Sequence, residues 1–117
     1  GIVQLGRIDD AALRWCYENA RVVLCPSLLE GFGLPSVEGL RFGTPVITSA
    51  DPAMCEATKA DATHISTLDR AHWVAAIVAA FRSPSRVPKP SVRTWQEVAN
   101  ETVEAVTDSM GVSAHAS

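Results

Sequence analysis

Two carboxylates, Glu30 and Glu38, stand with seven residues between them in the stretch SLLEGFGLPSVEGLRFGTPVI, Ser27 to Ile47. Gly31, Phe32, Gly33, Leu34 and Pro35 follow directly on the first acid. An ionised carboxylate only accepts hydrogen bonds, and sugar hydroxyls are good donors to it. Glycines let backbone N–H groups come close to a ligand, because no β-carbon blocks the approach. Pro35 suits the first position of a helix. The N–H groups of Leu34, Ser36 and Val37 at that helix start, with the positive end of the dipole, make a seat for a phosphate. Neither acid belongs on the phosphate itself. One acid before the seat and one after it could grip hydroxyls on either side of a diphosphate, as in a nucleotide-sugar. A plain turn feeding a capped helix accounts for the same residues. Glu38 in a first helical turn is favoured by the dipole alone, and Glu30 is then a solvated loop acid.

The elements that must position this stretch are short. Ile2 to Leu5 reads as the end of a strand, punctuated by Gly6. An opening inside a strand leads us to expect a fragment of a longer protein. Asp9 suits a helix N-cap, with Leu13, Cys16, Tyr17 and Ala20 at helical spacing. Arg21 to Cys25 is a short apolar run of the buried-strand type, stopped by Pro26. The helix from Pro35 ends near Phe42, with Gly43 as its stop. Pro45 to Ser49 is the next strand, DPAMCEAT a loop or one helical turn, and His64 to Ser66 a weak last strand. Asp69 caps a further helix whose face carries Trp73, Ala76, Ile77, Ala80 and Phe81, with Trp73 and Phe81 as core anchors. SPSRVPKPSVR breaks all periodicity. Thr94 to Glu97 fits a capping box, and the apolar spacing resumes from Trp95 to Val106. Strands alternating with helices give an α/β fold, a Rossmann-like parallel sheet with flanking helices. In such sheets ligands bind at the carboxyl ends of the strands, where Pro26 to Leu34 lies.

Composition narrows the function classes. The chain has 117 residues, 47% hydrophobic and 20% charged, with a net charge of −3. That is one small globular domain. There is no basic stripe, so nucleic acid is not an expected partner. No apolar run approaches the roughly 20 residues of a membrane span. Cys16, Cys25 and Cys55 form no C-x-x-C pair, and His64, His72 and His115 share no ligand spacing with them, so no metal or other cofactor is expected.

The ordered run PS, EGFGLP, E and GTPV (Pro26-Ser27, Glu30 to Pro35, Glu38, Gly43 to Val46) closely resembles the C-terminal, donor-binding domain of GT-B fold glycosyltransferases of group 1, family 4. The similarity spans roughly residues 3 to 81. It implies transfer of a sugar, of the hexosyl type, from a nucleotide-diphosphate donor to a carbohydrate or lipid-linked acceptor, with retention of anomeric configuration and no tightly bound metal. It implies that Glu30, the first acid of the motif and its catalytic residue, faces the donor sugar, where it recognises hydroxyls, stabilises charge or, as the least favoured role, acts as a nucleophile. Glu38 then binds the ribose hydroxyls, and the backbone of Gly31, Phe32, Gly33 and Leu34 meets sugar and diphosphate. The corresponding division of the chain is residues 1–82 as a partial nucleotide-sugar-binding domain, 83–93 as a linker, 94–110 as an amphipathic helix and 111–117 as a flexible tail.

The resemblance also says what this stretch lacks. Relatives carry a basic Arg and Lys pair upstream, and an N-terminal domain that binds acceptor. Without a second wall a cleft cannot exclude water or orient an acceptor, so the isolated chain is expected to be inactive. An incomplete sheet leaves a strand edge that invites dimerisation. A cytoplasmic location, extending to the inner face of the membrane, follows from the resemblance and the thiols. The alternatives are a GT-B epimerase or phosphorylase, and a non-catalytic nucleotide-sugar-binding module. A dinucleotide-binding oxidoreductase fits poorly, because Gly31-Phe32-Gly33 lacks the third glycine.

Overall fold

The computed structural model describes residues 1–29, 31–83, 85–87 and 94–111. In chain order the elements are α1 (Asp10–Asn19), β1 (Val23–Cys25), α2 (Leu34–Arg41), β2 (Val46–Ser49), α3 (Pro52–Thr58), a 3-10 turn (Lys59–Asp61), β3 (Thr63–Ile65), α4 (Arg70–Arg82) and α5 (Trp95–Ser109). The strands form one parallel sheet in the order β1-β2-β3. Val23 pairs with Val46, and Ile47 with Thr63. Parallel neighbours require a crossover, which α2 supplies between β1 and β2 and α3 between β2 and β3. The architecture is a Rossmann-like α/β fold.

The core sits around β2, all four of whose residues are buried. Val46 and Ile47 supply its apolar surface, with Leu40 from α2, Met54 from α3 and Ile65 from β3. Two buried threonines within it are paired. Thr48 Oγ1 donates to the carbonyl of Cys25 on the neighbouring strand at 3.3 Å, and Thr58 Oγ1 to the carbonyl of Met54 at 2.7 Å. Such pairing matters because an unmade hydrogen bond in a dry interior costs about 1–3 kcal/mol. Gly39 lets α2 lie close on the sheet: a β-carbon there would come within 3.0 Å of Val46 Cγ2 and 3.1 Å of Val23 Cγ2.

Several expectations change on inspection. Ile2 to Leu5 is irregular and exposed rather than a strand end. A strand needs a neighbour for its N–H and C=O groups, and no described strand pairs with it. DPAMCEAT is more than a turn: Asp51 caps it by accepting from the Ala53 N–H at 2.9 Å, and Pro52 opens a seven-residue helix. Phe81 is not a core anchor but is 55% exposed, with its ring 5.8 Å from the Arg21 guanidinium. Trp73 is half-buried, and its Nε1 donates to the carbonyl of Ser66 at 3.1 Å. His64 is half-buried on β3, with Nε2 2.8 Å from Thr58 Oγ1.

The capping box at Thr94 and Glu97 forms as the spacing predicts, and it opens α5. Trp95, Val103 and Val106 on that helix are nonetheless exposed. The greater part of the expected linker (84 and 88–93), and the tail beyond Gly111, lie outside the described residues. No helix among the described residues is long and apolar enough to cross a membrane.

Candidate functional site

The loop between β1 and α2 carries most of the residues singled out by the sequence. Glu30 lies outside the described residues. The two glycines beside it differ in kind. A β-carbon on Gly31 would meet nothing within 4 Å, so the backbone there is open. Gly33 is buried and sits at φ +70° as the N-cap of α2. The left-handed backbone and the closeness of Met54 both require glycine there. Phe32 and Leu34 on either side are exposed.

The start of α2 falls at Leu34, with Pro35 second. The carbonyl of Gly33 accepts from the N–H groups of both Ser36 (3.0 Å) and Val37 (3.3 Å). Those two groups are therefore committed to the helix. They are not the open donors the sequence suggested. The Leu34 N–H has no partner among the described residues. The Ser36 hydroxyl points inward, 3.8 Å from Met54 Sδ.

Glu38 is half-buried in the second turn of α2, not the first. A dipole effect that fades within one turn is then a weak reason for an acid at this position. Tyr17 supplies a better one. Its Oη donates to Glu38 Oε2 at 2.9 Å from the facing helix α1. The Tyr17 ring stacks on Phe42, one turn beyond Glu38, with centroids 5.7 Å apart and planes 9° from parallel. The Tyr17 carbonyl accepts from the fully buried Thr44 hydroxyl. Burial, first, and then the hydrogen bond and charge of Glu38 hold the Tyr17 phenol well above its ordinary value of 10.0. The phenol is therefore held as a protonated donor more firmly than a free tyrosine. The other carboxylate oxygen, Oε1, has no hydrogen-bond partner among the described residues.

Sequence reading placed Tyr17 on a helix face but missed its link to Glu38. The signal was slight: the chain has one tyrosine, and a buried tyrosine hydroxyl needs a partner.

The sequence also missed a cleft of about 340 Å³ at the carboxyl ends of all three strands. Ser27, Ser49, Asp51, Ser66 and Thr67 contribute its polar lining. A smaller hollow of about 240 Å³ adjoins it at Thr67, beside Arg70 and Trp73. None of Gly31 to Leu34, nor Glu38, lines either space. The cleft has the position expected of a ligand site in an open sheet. Its one acid, however, is spent on capping α3. Away from the cleft, the open Leu34 N–H and the oriented Glu38 carboxylate are also available to a ligand. No group of three or more His, Cys, Asp or Glu side chains suited to a metal ion occurs among the described residues.

Comparison with known proteins agrees on the family. The family model described as "Glycosyl transferases group 1" matches residues 2–93. An O-antigen chain mannosyltransferase of Salmonella typhimurium is 33% identical over 73 residues, covering 62% of this chain and 21% of that protein. An MMP alpha-(1->4)-mannosyltransferase of Mycolicibacterium hassiacum is 31% identical over 108 residues, covering 82% of this chain and 26% of that protein. O-antigen chain mannosyltransferase B of Escherichia coli is 44% identical over 45 residues, covering 38% and 12%. The chain thus spans about a quarter or less of these relatives. No solved structure matches it. With its Rossmann-like sheet and a family match over most of its length, the chain belongs to the group 1 glycosyltransferases.

Proposed function

We propose that this chain binds a nucleotide-diphosphate sugar and forms the donor-binding part of a retaining hexosyltransferase. The observation that carries the reading is the Glu38 carboxylate. It is held at one oxygen by Tyr17 at 2.9 Å and stands one turn into α2, behind the helix start at Leu34. A carboxylate held at one oxygen and open at the other is an acceptor for a sugar diol. In this reading Glu38 takes the ribose hydroxyls. The N–H groups from Phe32 to Leu34, with the open backbone at Gly31, meet the diphosphate and the donor sugar. Glu30 faces that sugar.

The chemistry follows from charge. As the glycosidic bond breaks, the leaving nucleoside diphosphate gains negative charge. Backbone donors fixed at a helix start stabilise that charge without reorganising. The electron pair of the breaking bond goes to the phosphate oxygen, and the acceptor hydroxyl attacks the same face of the sugar. Its proton passes to the leaving phosphate. The two glutamates lie along the donor in this scheme, so they do not act as the flanking acid and base pair of a glycosidase. The acceptor requires a second wall, so the chain alone binds donor weakly and transfers no sugar. The work belongs in a reducing cytoplasm, extending to the inner face of the membrane, where Cys16, Cys25 and Cys55 remain thiols.

Isothermal titration of the chain with UDP, GDP, ADP, their glucose and mannose conjugates and NAD tests the reading. Three relatives are named as mannosyltransferases, so the mannose conjugates come first. Binding of one nucleoside diphosphate, abolished in Glu38→Ala, is the expected result. Binding of NAD alone, or equal binding by the variant, would overturn it.

A further inference from the structure

We propose that Tyr17 is a positioning residue for ligand recognition: it orients the Glu38 carboxylate so that its free edge accepts the vicinal hydroxyls of a nucleoside diphosphate. The inference rests on the donor reading above and adds a residue from a different helix to it.

The geometry is specific. A phenol has one proton to give, and Tyr17 gives it to Glu38 Oε2 at 2.9 Å. The phenol cannot readily swing away. Its ring is buried and stacked on Phe42, and its backbone carbonyl is held by Thr44 Oγ1. Thr44 is itself fixed, accepting from Arg86 at 2.7 Å. Glu38 is therefore tied at one oxygen to a rigid group, while Oε1 remains without a partner among the described residues. A free glutamate side chain samples many rotamers, and a ligand that fixes it loses that freedom as part of its affinity. Tyr17 removes much of this cost beforehand. It also leaves the carboxylate able to receive two hydroxyls side by side, one on Oε1 and one on the remaining lone pair of Oε2. The groups that act on the phenol are Glu38 and, more weakly, Cys25, while Arg14 faces the other side of the stack over Phe42. All but Glu38 are absent from the ligand contacts proposed above.

A buried tyrosine that merely satisfies its hydroxyl would show the same contact, so the test must read the ligand diol. Tyr17→Phe keeps the ring and its stack and removes only the donor. Each protein is titrated with the nucleoside diphosphate that binds the wild type and with its 2′,3′-dideoxy analogue. The expected result is about tenfold weaker binding of the ribonucleotide to Tyr17→Phe, a loss of the size of one charge-assisted hydrogen bond. The dideoxy compound should bind wild type and variant alike. Equal ribonucleotide binding by both proteins, or an equal loss for both ligands, would overturn the proposal. Two further measurements separate it from the donor reading. If Glu38→Ala binds the ribonucleotide as the wild type does, or the wild type binds none, the donor reading falls and this inference with it. The chain has one tyrosine, so tyrosinate absorbance at 295 nm reports Tyr17 alone. Glu38→Gln should bring its titration down towards 10, and an unmoved titration would show that Tyr17 does not engage Glu38 in solution.

Discussion

The β-carbon that Gly33 lacks would fall 2.3 Å from Met54 Sδ, so the cap of α2 rests directly on the most buried side chain of α3. Two constraints meet in that contact: a left-handed backbone and a space already filled. Met54 is 0% exposed and has no outlet into solvent. We expect Gly33→Ala to lose about 2–3 kcal/mol, combining the left-handed backbone penalty with overpacking. Shortening the neighbour separates the two. In a urea-unfolding cycle, Gly33→Ala with Met54→Ala should lose less than the sum of the single variants. Strict additivity would show that packing on Met54 is irrelevant.

Thr44 joins two segments through one hydroxyl. It donates to the Tyr17 carbonyl and accepts from Arg86. Thr44→Val keeps the shape and strands both partners. The expected loss is about 1–3 kcal/mol in urea melts, the cost of leaving a buried acceptor unpaired. A loss below about 0.5 kcal/mol, the scale of an unremarkable surface change, would contradict this role.

Ser49 predicts the opposite sign. Its Oγ is buried at the end of β2 with no hydrogen-bond partner among the described residues. Removing a polar atom that already lacks a partner relieves a desolvation cost. Ser49→Ala should raise stability by about 1 kcal/mol, read as a higher melting temperature. A destabilised variant would mean that the hydroxyl is paired in solution, with water as the obvious partner.

Tyr17 sets an alkaline limit. Its folded titration lies above the ordinary value of 10.0, chiefly through burial and then through Glu38. Below pH 10 both folded and unfolded chains hold the phenolic proton, and this group adds no pH dependence. Above pH 10 the unfolded chain gives up the proton first, so stability falls as pH rises towards the folded value. Urea midpoints of wild type minus Tyr17→Phe, taken from pH 8 to 11.5, should be flat to about pH 10 and then decline. A flat difference throughout would contradict the raised phenol.

What was legible in the sequence was local. The start of α2, within one residue of the expected Pro35, the apolar run of β2 and the capping box at Thr94 and Glu97 are signals written within a few residues. The misses depend on distant partners. Ile2 to Leu5 has strand-forming side chains, but a strand exists only with a neighbour. The periodicity of α4 placed Phe81 on a face without saying whether anything covers that face. Tyr17 and Glu38 are 21 residues apart, and no local rule connects them. Ser49 and Thr67 come together only once the sheet order is known. The pattern of acids and glycines could raise a nucleotide-sugar. It could not tell that Gly33 answers to Met54 while Gly31 stands open.

The most direct measurement is a titration of the ¹⁵N-labelled chain with the nucleoside diphosphates, followed residue by residue in amide spectra. The account predicts that one of them shifts Gly31, Gly33, Leu34 and Glu38 together, saturably, and that Glu38→Ala abolishes the response. Shifts confined to Ser49, Asp51, Ser66 and Thr67, with the α2 start silent, would contradict it and move the site to the cleft at the strand ends.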